Sequence, residues 1–228
     1  MIKAVIFDLD GTLLDTIQDI ANTCNKLLEK RSYPALPLKD YKIYVGKGVK
    51  HLMIKVMEAL NIPKYLLDDL LRDYYEIYKD ESSKTTKVYE GINDLLKELI
   101  IQDIKVCVLS NKPHEQVIDL MPKYFKEDLF SIVYGKHHGI EAKPNPALLR
   151  KMIKTLRLKK TEVLYVGDTK TDMETALNAG VQSVGVLWGF RDEMELVQAR
   201  ASYIVKEPSE ILDVIREKNN DYRKTRIN

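Results

Sequence analysis

The chain has 228 residues, and its 45% apolar and 31% charged content is ordinary for a soluble globular protein. Because 36 basic and 34 acidic residues leave a net charge of only +2, the composition does not favour nucleic acid or an anionic membrane as a partner. No segment approaches the roughly 18 to 20 apolar residues of a membrane span and the N-terminus lacks a signal-peptide pattern, so we expect a cytoplasmic monomer or homodimer with a small-molecule partner.

The first predicted strand ends in two acids. Residues 4–7 are apolar, β-branched or aromatic, which is typical of a strand buried on both faces of a parallel sheet. Asp8 and Asp10 follow, and in an extended backbone both side chains start from the same face, while Gly11 permits a sharp turn. Two carboxylates this close need a shared cation or a retained proton. A capped turn after a strand is the structural alternative.

Residues 15–82 have a helical period, and none of them is predicted as a strand. The predicted helical segments are 17–28, 38–60 with a break at 45–48, and 63–79. The chain leaves the predicted sheet for this helical region directly after the two acids. We therefore expect it to lie over the carboxyl end of the first strand, where open α/β sheets bind ligands.

From Gly91 onward, strands and helices of about ten residues alternate. The predicted strands are 104–109, 131–134, 162–166, 182–187 and 203–205. This alternation predicts an α/β fold with a Rossmann-like parallel sheet core and an inserted all-helical cap domain. The predicted core domain comprises 1–14 and 83–228, and the cap domain comprises 15–82. Cys24 and Cys107 lack a CxxC spacing and are expected to fill the core.

Two further strand ends carry groups suited to an anion. Ser110, Asn111 and Lys112 follow the second strand, where small hydroxyls and free backbone amides before a helix bind anions; an ordinary helix cap is the alternative. Lys143 precedes Pro144, which stiffens its backbone and favours a fixed cation beside the acids over a solvated side chain.

A fourth strand end carries Asp168 and Asp172, which lie four residues apart across a strand-to-helix turn, so both can reach the same edge of the sheet. A helix cap explains this pair alone but not acids at two strand ends. Four carboxylates and a lysine favour a hard cation such as Mg²⁺ and a phosphorylated substrate. The histidines are scattered, so we do not expect a zinc site; they are His51, His114, His137 and His138.

Four motifs resemble those of the haloacid dehalogenase-like phosphohydrolases, in order and at similar spacing. They are Asp8-Leu9-Asp10-Gly11-Thr12, Ser110-Asn111, Lys143-Pro144 and Gly167-Asp168-Thr169-Lys170-Thr171-Asp172. The helical region resembles the small α-helical cap of that family. Within the family, the segments 45–49, 110–113 and 188–191 resemble phosphoglycolate phosphatases. True dehalogenases lack the acid at the position of Asp10, so this acid favours phosphate chemistry.

The resemblance implies a role for each matched residue. Asp8 is expected to be the nucleophile that forms an aspartyl-phosphate, and Asp10 the acid and base. Lys143 is expected to be the third catalytic residue. Mg²⁺ is expected on the carboxylates of Asp8 and Asp168 and the backbone carbonyl of Asp10, with Asp172 holding ligand waters or orienting Lys143. The substrate-binding residues are expected to be Thr12, Ser110, Asn111, Lys112 and, in the helical region, Lys47.

The substrate is expected to be a small phosphorylated metabolite such as 2-phosphoglycolate. Lys47 lies between Gly46 and Gly48 in the break of the helical region, where it would meet the carboxylate of that substrate; a solvated lysine in a helix break is the alternative. A sugar phosphomutase or a pyrophosphatase of the same family remains an alternative activity. A non-catalytic binding protein is the third hypothesis, against which the complete acid and lysine motifs argue.

Overall fold

A computed structural model describes residues 1–137 and 139–227 of the chain. The strands are β1 (Ala4–Phe7), β2 (Leu14–Asp15), β3 (Lys87–Val88), β4 (Lys105–Pro113), β5 (Ile132–Lys136), β6 (Val163–Gly167), β7 (Gln182–Val186) and β8 (Tyr203–Val205). The helices are α1 (Ile17–Lys30), α2 (Leu38–Tyr44), α3 (Val49–Ala59), α4 (Leu67–Glu81), α5 (Ile92–Ile101), α6 (His114–Leu120), α7 (Ala147–Thr155), α8 (Lys170–Ala179), α9 (Glu193–Gln198) and α10 (Glu210–Ile227).

Six strands form one parallel sheet in the order β5-β4-β1-β6-β7-β8. The predicted α/β class with a Rossmann-like parallel sheet is therefore confirmed. β1 lies between β4 and β6, and the strand order reverses across it. The carboxyl ends of these three strands form the crevice in which such sheets bind ligands.

The alternating side chains of β1 enter two different hydrophobic layers. Val5 and Phe7 pack in the layer that contains α5, α6 and α10, whereas Ala4 and Ile6 pack against α7 and α8. Because the strand is covered on both faces, every one of its residues is apolar. Cys107 of β4 is buried in the same way, and Cys24 is buried in α1; both are free thiols, as predicted.

The helical region packs around a core of its own. Side chains from α1 to α4 form one buried cluster, which also includes Phe190 from the loop after β7. Its apolar residues follow the helical period that the sequence predicts. Within residues 1–137 and 139–227, no helix combines the length and the hydropathy that crossing a membrane requires.

Two short strands, β2 and β3, pair antiparallel where the chain enters and leaves the helical region. The sequence does not predict these strands, because each has only two residues and so shows no periodicity. Nearby, Asp19 in the first turn of α1 is fully buried and accepts four hydrogen bonds, from the backbone N–H and the hydroxyl of both Thr85 and Thr86, at 2.6 to 3.0 Å. Asp19 thus joins the two connecting segments. The domain boundaries at 14 and 83 stay a prediction.

We expect Asp19→Ala to lower the free energy of unfolding by about 3 kcal/mol, because it leaves four donors without their acceptor in a buried site. Urea denaturation followed by circular dichroism would measure this change. Asp68→Ala is the matched control, because Asp68 lies in the first turn of α4 but is exposed. Equal effects of the two substitutions would contradict a special role for Asp19.

Candidate active site

Three buried aspartates meet at the carboxyl ends of β1 and β6. Asp8 directly follows β1, Asp168 directly follows β6, and Asp172 lies in the first turn of α8. One carboxylate oxygen from each lies within 4.8 Å of the others. In residues 1–137 and 139–227, they are the one group of three or more acidic, histidine or cysteine side chains with the spacing to share a metal ion.

Lys143 supplies the positive charge inside this acidic group. Its Nζ lies 2.7 Å from Oδ1 of Asp8 and donates a hydrogen bond of 2.8 Å to Oδ1 of Asp172. It also donates to the carbonyl oxygen of Leu109 and the hydroxyl of Tyr165, both at 3.1 Å. The ammonium group is therefore fixed, as the stiffened backbone before Pro144 led us to expect.

Asp172 orients Lys143 with one oxygen and caps its own helix with the other. Its Oδ2 accepts hydrogen bonds from the backbone N–H of Thr169 at 3.1 Å and from the Thr169 hydroxyl at 2.6 Å. The Thr169 side chain in turn accepts from the backbone of α8, completing a capping box. The cap and the acidic group are thus one feature, where the sequence analysis treated them as alternatives.

Asp168 is held by two donors and approached closely by the turn after β1. The Thr12 hydroxyl donates to its Oδ1 at 3.1 Å, and the backbone N–H of Phe190 donates to its Oδ2 at 2.9 Å. Gly11 has a φ of +86°, and a Cβ there would lie 2.3 Å from Oδ2 of Asp168. Only glycine permits this approach. Thr12 therefore positions Asp168.

The carboxylate of Asp10 lies outside the three-aspartate group, although Asp8 and Asp10 line the same cavity. β1 ends at Phe7, so the alternation of an extended strand does not reach Asp10. Its Oδ1 accepts hydrogen bonds from the Thr16 hydroxyl at 2.8 Å and from Nζ of Lys112 at 3.0 Å. This carboxylate is thus paired with a buried lysine.

Asn111 links the core to the helical region. Its Nδ2 donates to the carbonyl oxygens of Gly46 at 3.0 Å and Lys143 at 3.1 Å, and its Oδ1 accepts from the N–H of Lys143 at 2.8 Å. The side-chain amide is fully used by these contacts. Ser110 accepts a hydrogen bond of 3.2 Å from the backbone N–H of Lys112, and both residues are buried.

Burial and mutual repulsion change the proton affinities of the group. Burial and the nearby Asp172 raise the pKa of Asp8 well above its ordinary 3.8, against the opposing effect of Lys143. The same two causes raise the pKa of Asp168 to about 7. Burial alone would lower the pKa of Lys143, but Asp172 and Asp8 outweigh it and raise that pKa well above its usual 10.5. The lysine therefore stays charged, while Asp8 and Asp168 hold a proton more readily than ordinary aspartates.

A cavity of about 40 Å³ lies between the acids and the helical region. Its core side is formed by Asp8, Asp10, Ser110, Asn111 and Lys112, and its other side by Ile20, Val45, Gly46, Gly48, Val49, Leu52 and Tyr74. The space is small. Thr12 and Lys47 do not line it, and Lys47 is exposed. The substrate-binding role of these two residues stays a prediction.

The donor set fits a hard divalent cation. Carboxylate oxygens are the preferred ligands of such ions. Oδ1 of Asp8 has an ion pair with Lys143 but makes no hydrogen bond of normal geometry with the described residues.

Among the histidines, the rings of His114 and His137 are in contact, with centroids 4.1 Å apart, and His138 lies outside the described residues.

Several residues of the site were not predicted. Thr16 and Tyr165 contact Asp10 and Lys143 respectively, and neither stands at a motif position. Nη2 of Arg191 donates to the carbonyl oxygens of Ile43 at 2.9 Å and Val45 at 2.7 Å, which links the end of α2 to the core. The sequence showed a charged residue after Phe190 but gave no sign of its partners, which lie nearly 150 positions away.

A family model described as haloacid dehalogenase-like hydrolase matches residues 5–186, which include all four motif positions and the helical region. The chain belongs to the haloacid dehalogenase-like hydrolases.

Curated relatives of this hydrolase carry the name phosphoglycolate phosphatase. The protein from Vibrio vulnificus strain CMCP6 is 30% identical over 219 residues, which are 94% of this chain and 96% of the relative. The protein from Neisseria gonorrhoeae is 31% identical over 227 residues, 96% of each chain. The crystal structure of a predicted phosphoglycolate phosphatase from Haemophilus somnus matches with a TM-score of 0.88 at 24% identity, covering 94% of this chain and 98% of that one, which shows a common fold.

The raised pKa of Asp168 predicts a pH-dependent stability of the metal-free hydrolase. A carboxyl whose pKa rises from 3.8 to about 7 on folding contributes stability that is present below pH 3.8 and lost as the pH rises through 7. Asp168→Asn removes this loss, and an amide can still pair with Thr12 and the N–H of Phe190. In EDTA at pH 8 we expect the variant to melt roughly 5 °C above the wild type.

Differential scanning calorimetry between pH 4 and pH 8 would measure this difference, which should shrink towards pH 4. Asp68→Asn, at an exposed position, is the control and should give no pH-dependent difference. A variant that is less stable than the wild type by the same amount at every pH would contradict the raised pKa.

Proposed function

We propose that this hydrolase is a Mg²⁺-dependent phosphomonoesterase acting on 2-phosphoglycolate through an aspartyl-phosphate. The observation that carries the proposal is the position of Asp8, which borders the cavity, belongs to the three-aspartate group and lies 2.7 Å from Lys143. The names of the curated relatives support the substrate.

Asp8 acts as the nucleophile. An oxygen of its carboxylate forms a bond to phosphorus, while the bond from phosphorus to the leaving-group oxygen breaks. In the second half of the reaction, water attacks the same phosphorus and releases phosphate and the free carboxylate. Splitting one displacement into two in this way lowers each barrier.

Asp10 transfers the proton in both halves. It gives a proton to the departing oxygen and later accepts one from the attacking water. Its hydrogen bonds from Thr16 and Lys112 fix the carboxylate at the edge of the cavity that Asp8 also lines.

Lys143, Ser110 and the backbone N–H of Asn111 bind the oxygens of the transferring phosphoryl group. Lys143 brings a fixed positive charge, and the Ser110 oxygen already accepts from Lys112, which directs its hydroxyl proton elsewhere. Charges and donors that are fixed before the reaction stabilise the transition state without reorganisation.

Asp8 and Asp168, with the backbone carbonyl of Asp10, would hold Mg²⁺, and Asp172 would support it through bound water. When bound, the ion neutralises phosphoryl charge and orients the group for attack. The buried carboxylates and their raised pKa values support a cation at this position. The same values imply that binding of the ion releases protons.

The helical region acts as a cap that must open for substrate. A cavity of about 40 Å³ is small for a phosphate monoester to enter. Opening separates Asn111 from Gly46 and Arg191 from Val45, with bending near residues 14–16 and 82–87. Closure then excludes water from the phosphoryl group while it moves.

Lys112 is our proposed contact for the substrate carboxylate. One methylene separates the leaving oxygen of phosphoglycolate from its carboxyl carbon, so the carboxylate lies within a few ångströms of the group that protonates that oxygen. Nζ of Lys112 is 3.0 Å from Asp10 and lines the cavity. Lys47, which the sequence favoured, is exposed in this closed form and would act only if its loop moves.

Asp8→Asn should abolish phosphate release from 2-phosphoglycolate, because the change removes the nucleophile's charge but little volume. Wild-type activity should require Mg²⁺ and be lost in EDTA. Phosphate release is measured by a coupled assay, with unfolding temperature as the control for folding. Full activity of Asp8→Asn would refute the covalent route.

Asp10→Asn should instead retain slow phosphorylation by substrates with a good leaving group.

Lys112→Met should lower kcat/KM for phosphoglycolate about tenfold more than for ethyl phosphate, which lacks the carboxylate. Comparing the two substrates separates the lost carboxylate contact from any effect on Asp10, which both substrates share. Lys47→Ala is the matched control and tests whether Lys47 binds the substrate carboxylate instead. If Lys47→Ala alone discriminates between the substrates, Lys112 does not bind the carboxylate.

Pyrophosphate and hexose phosphates belong in the same assay. A higher kcat/KM for either one would replace phosphoglycolate as the substrate and leave the role of Asp8 unchanged. Transfer of the phosphoryl group to a second sugar hydroxyl, in place of water, would indicate a phosphomutase.

A further inference from the structure

Two spaces lie on either side of a thin wall at the boundary between the helical region and the core. The first is the cavity of about 40 Å³ beside Asp8. The second is a surface groove of about 1060 Å³ between α4 and α6, which we call the α4–α6 groove. Tyr75, Tyr78 and Lys79 form its α4 side, and Glu115, Gln116 and Asp119 form its α6 side.

Tyr78 and Lys112 form the wall between these spaces. Lys112 lines the cavity, whereas the next residue, Pro113, lines the groove; likewise Tyr74 lines the cavity and Tyr75 the groove. Nζ of Lys112 lies over the ring of Tyr78, 5.0 Å from its centroid, so the barrier is about one side chain thick. Tyr78 is only 4% exposed although it borders the groove.

Neighbouring groups hold the Tyr78 ring in this position. It stacks on Tyr74 with a centroid distance of 5.6 Å and an interplanar angle of 15°. The ammonium group of Lys112 also contacts the Tyr78 ring and is itself held by a hydrogen bond to Asp10. Stacking and cation–π contacts each stabilise such an arrangement modestly, so the wall is ordered by packing and is not part of a loop.

The α4–α6 groove has balanced charge and aromatic surface. Its lysines are Lys79, Lys123 and Lys136, and its acids are Glu115, Asp119 and Glu141. Tyr75 and Tyr78 add aromatic faces. Such a lining suits an uncharged, flat organic group better than a polyanion, because no excess of positive charge is present.

We propose that Tyr78 determines the size of the leaving group, by separating the active-site cavity from the α4–α6 groove. In the wild type the wall restricts the closed enzyme to short leaving groups such as glycolate. Without the Tyr78 ring, only the side chain of Lys112 separates the cavity from the groove, which then holds the distal part of a larger, uncharged leaving group that passes beside it. This inference rests on the proposed phosphomonoesterase activity at Asp8, but not on the identity of its natural substrate.

The test compares Tyr78→Ala with the wild type on phosphoglycolate and on 4-methylumbelliferyl phosphate. Each substrate is compared between variant and wild type, so intrinsic reactivity cancels. We expect kcat/KM for the bulky ester to rise about tenfold relative to that for phosphoglycolate. Tyr75→Ala is the control, because Tyr75 lines the same groove but not the wall; its ratio should stay within about twofold of the wild type. Tyr78→Leu replaces Tyr78→Ala if the latter fails to fold.

Calorimetric binding of non-hydrolysable phosphonates gives a second readout that does not need turnover. 3-Phosphonopropionate represents the small substrate, and 1-naphthylmethylphosphonate the bulky one. If the wild type hydrolyses no phosphate ester, the proposed function fails. Selectively tighter binding of 1-naphthylmethylphosphonate by Tyr78→Ala would still support the role of Tyr78 as the wall. Equal losses for both substrates, or no gain of the naphthyl ligand by either Tyr78 variant, would overturn the proposal.

Discussion

The acidic group depends on the ion pairs that Lys143 forms with Asp8 and Asp172. Three buried carboxylates within 4.8 Å repel one another, and at an effective dielectric constant near 20 two unit charges about 4 Å apart interact by about 4 kcal/mol. Lys143 offsets part of this repulsion through contacts of 2.7 Å to Asp8 and 2.8 Å to Asp172. Burial, together with the remaining repulsion, raises the pKa of Asp8 and Asp168, which makes the group receptive to a further cation.

The contacts that build the site also join the helical region to the core. Asn111 positions Lys143 and at the same time holds Gly46, while the loop that supplies the N–H of Phe190 to Asp168 also carries Arg191, which holds the end of α2. Gly48 has a φ of +84°, and a Cβ there would lie 3.1 Å from the carbonyl oxygen of Asn111. The contacts that join the helical region to the core and those that complete the cavity therefore share the same atoms.

The fold could be predicted from the sequence because its signal is local. Buried parallel strands are short apolar runs, and β1, with Ala4 and Ile6 facing one layer and Val5 and Phe7 the other, has no polar position. The polar residues that follow such runs must collect at one edge of the sheet, which located Asp8, Lys143, Asp168 and Asp172. By contrast, β2 and β3 are two residues each and are defined by pairing across about seventy residues, which no local pattern records.

The amino-acid sequence by itself determined the sheet, the insertion point of the helices and the identity of the charged groups at the strand ends. Only the tertiary structure decided which charges pair. Asp10 pairs with Lys112 of β4, and Thr12 turns to Asp168 because Gly11 permits the close turn. Tyr78 of α4 lies against Lys112 of β4, although the two residues are far apart in the chain. Such pairings depend on distances between segments far apart in the chain, and periodicity carries no information about those distances.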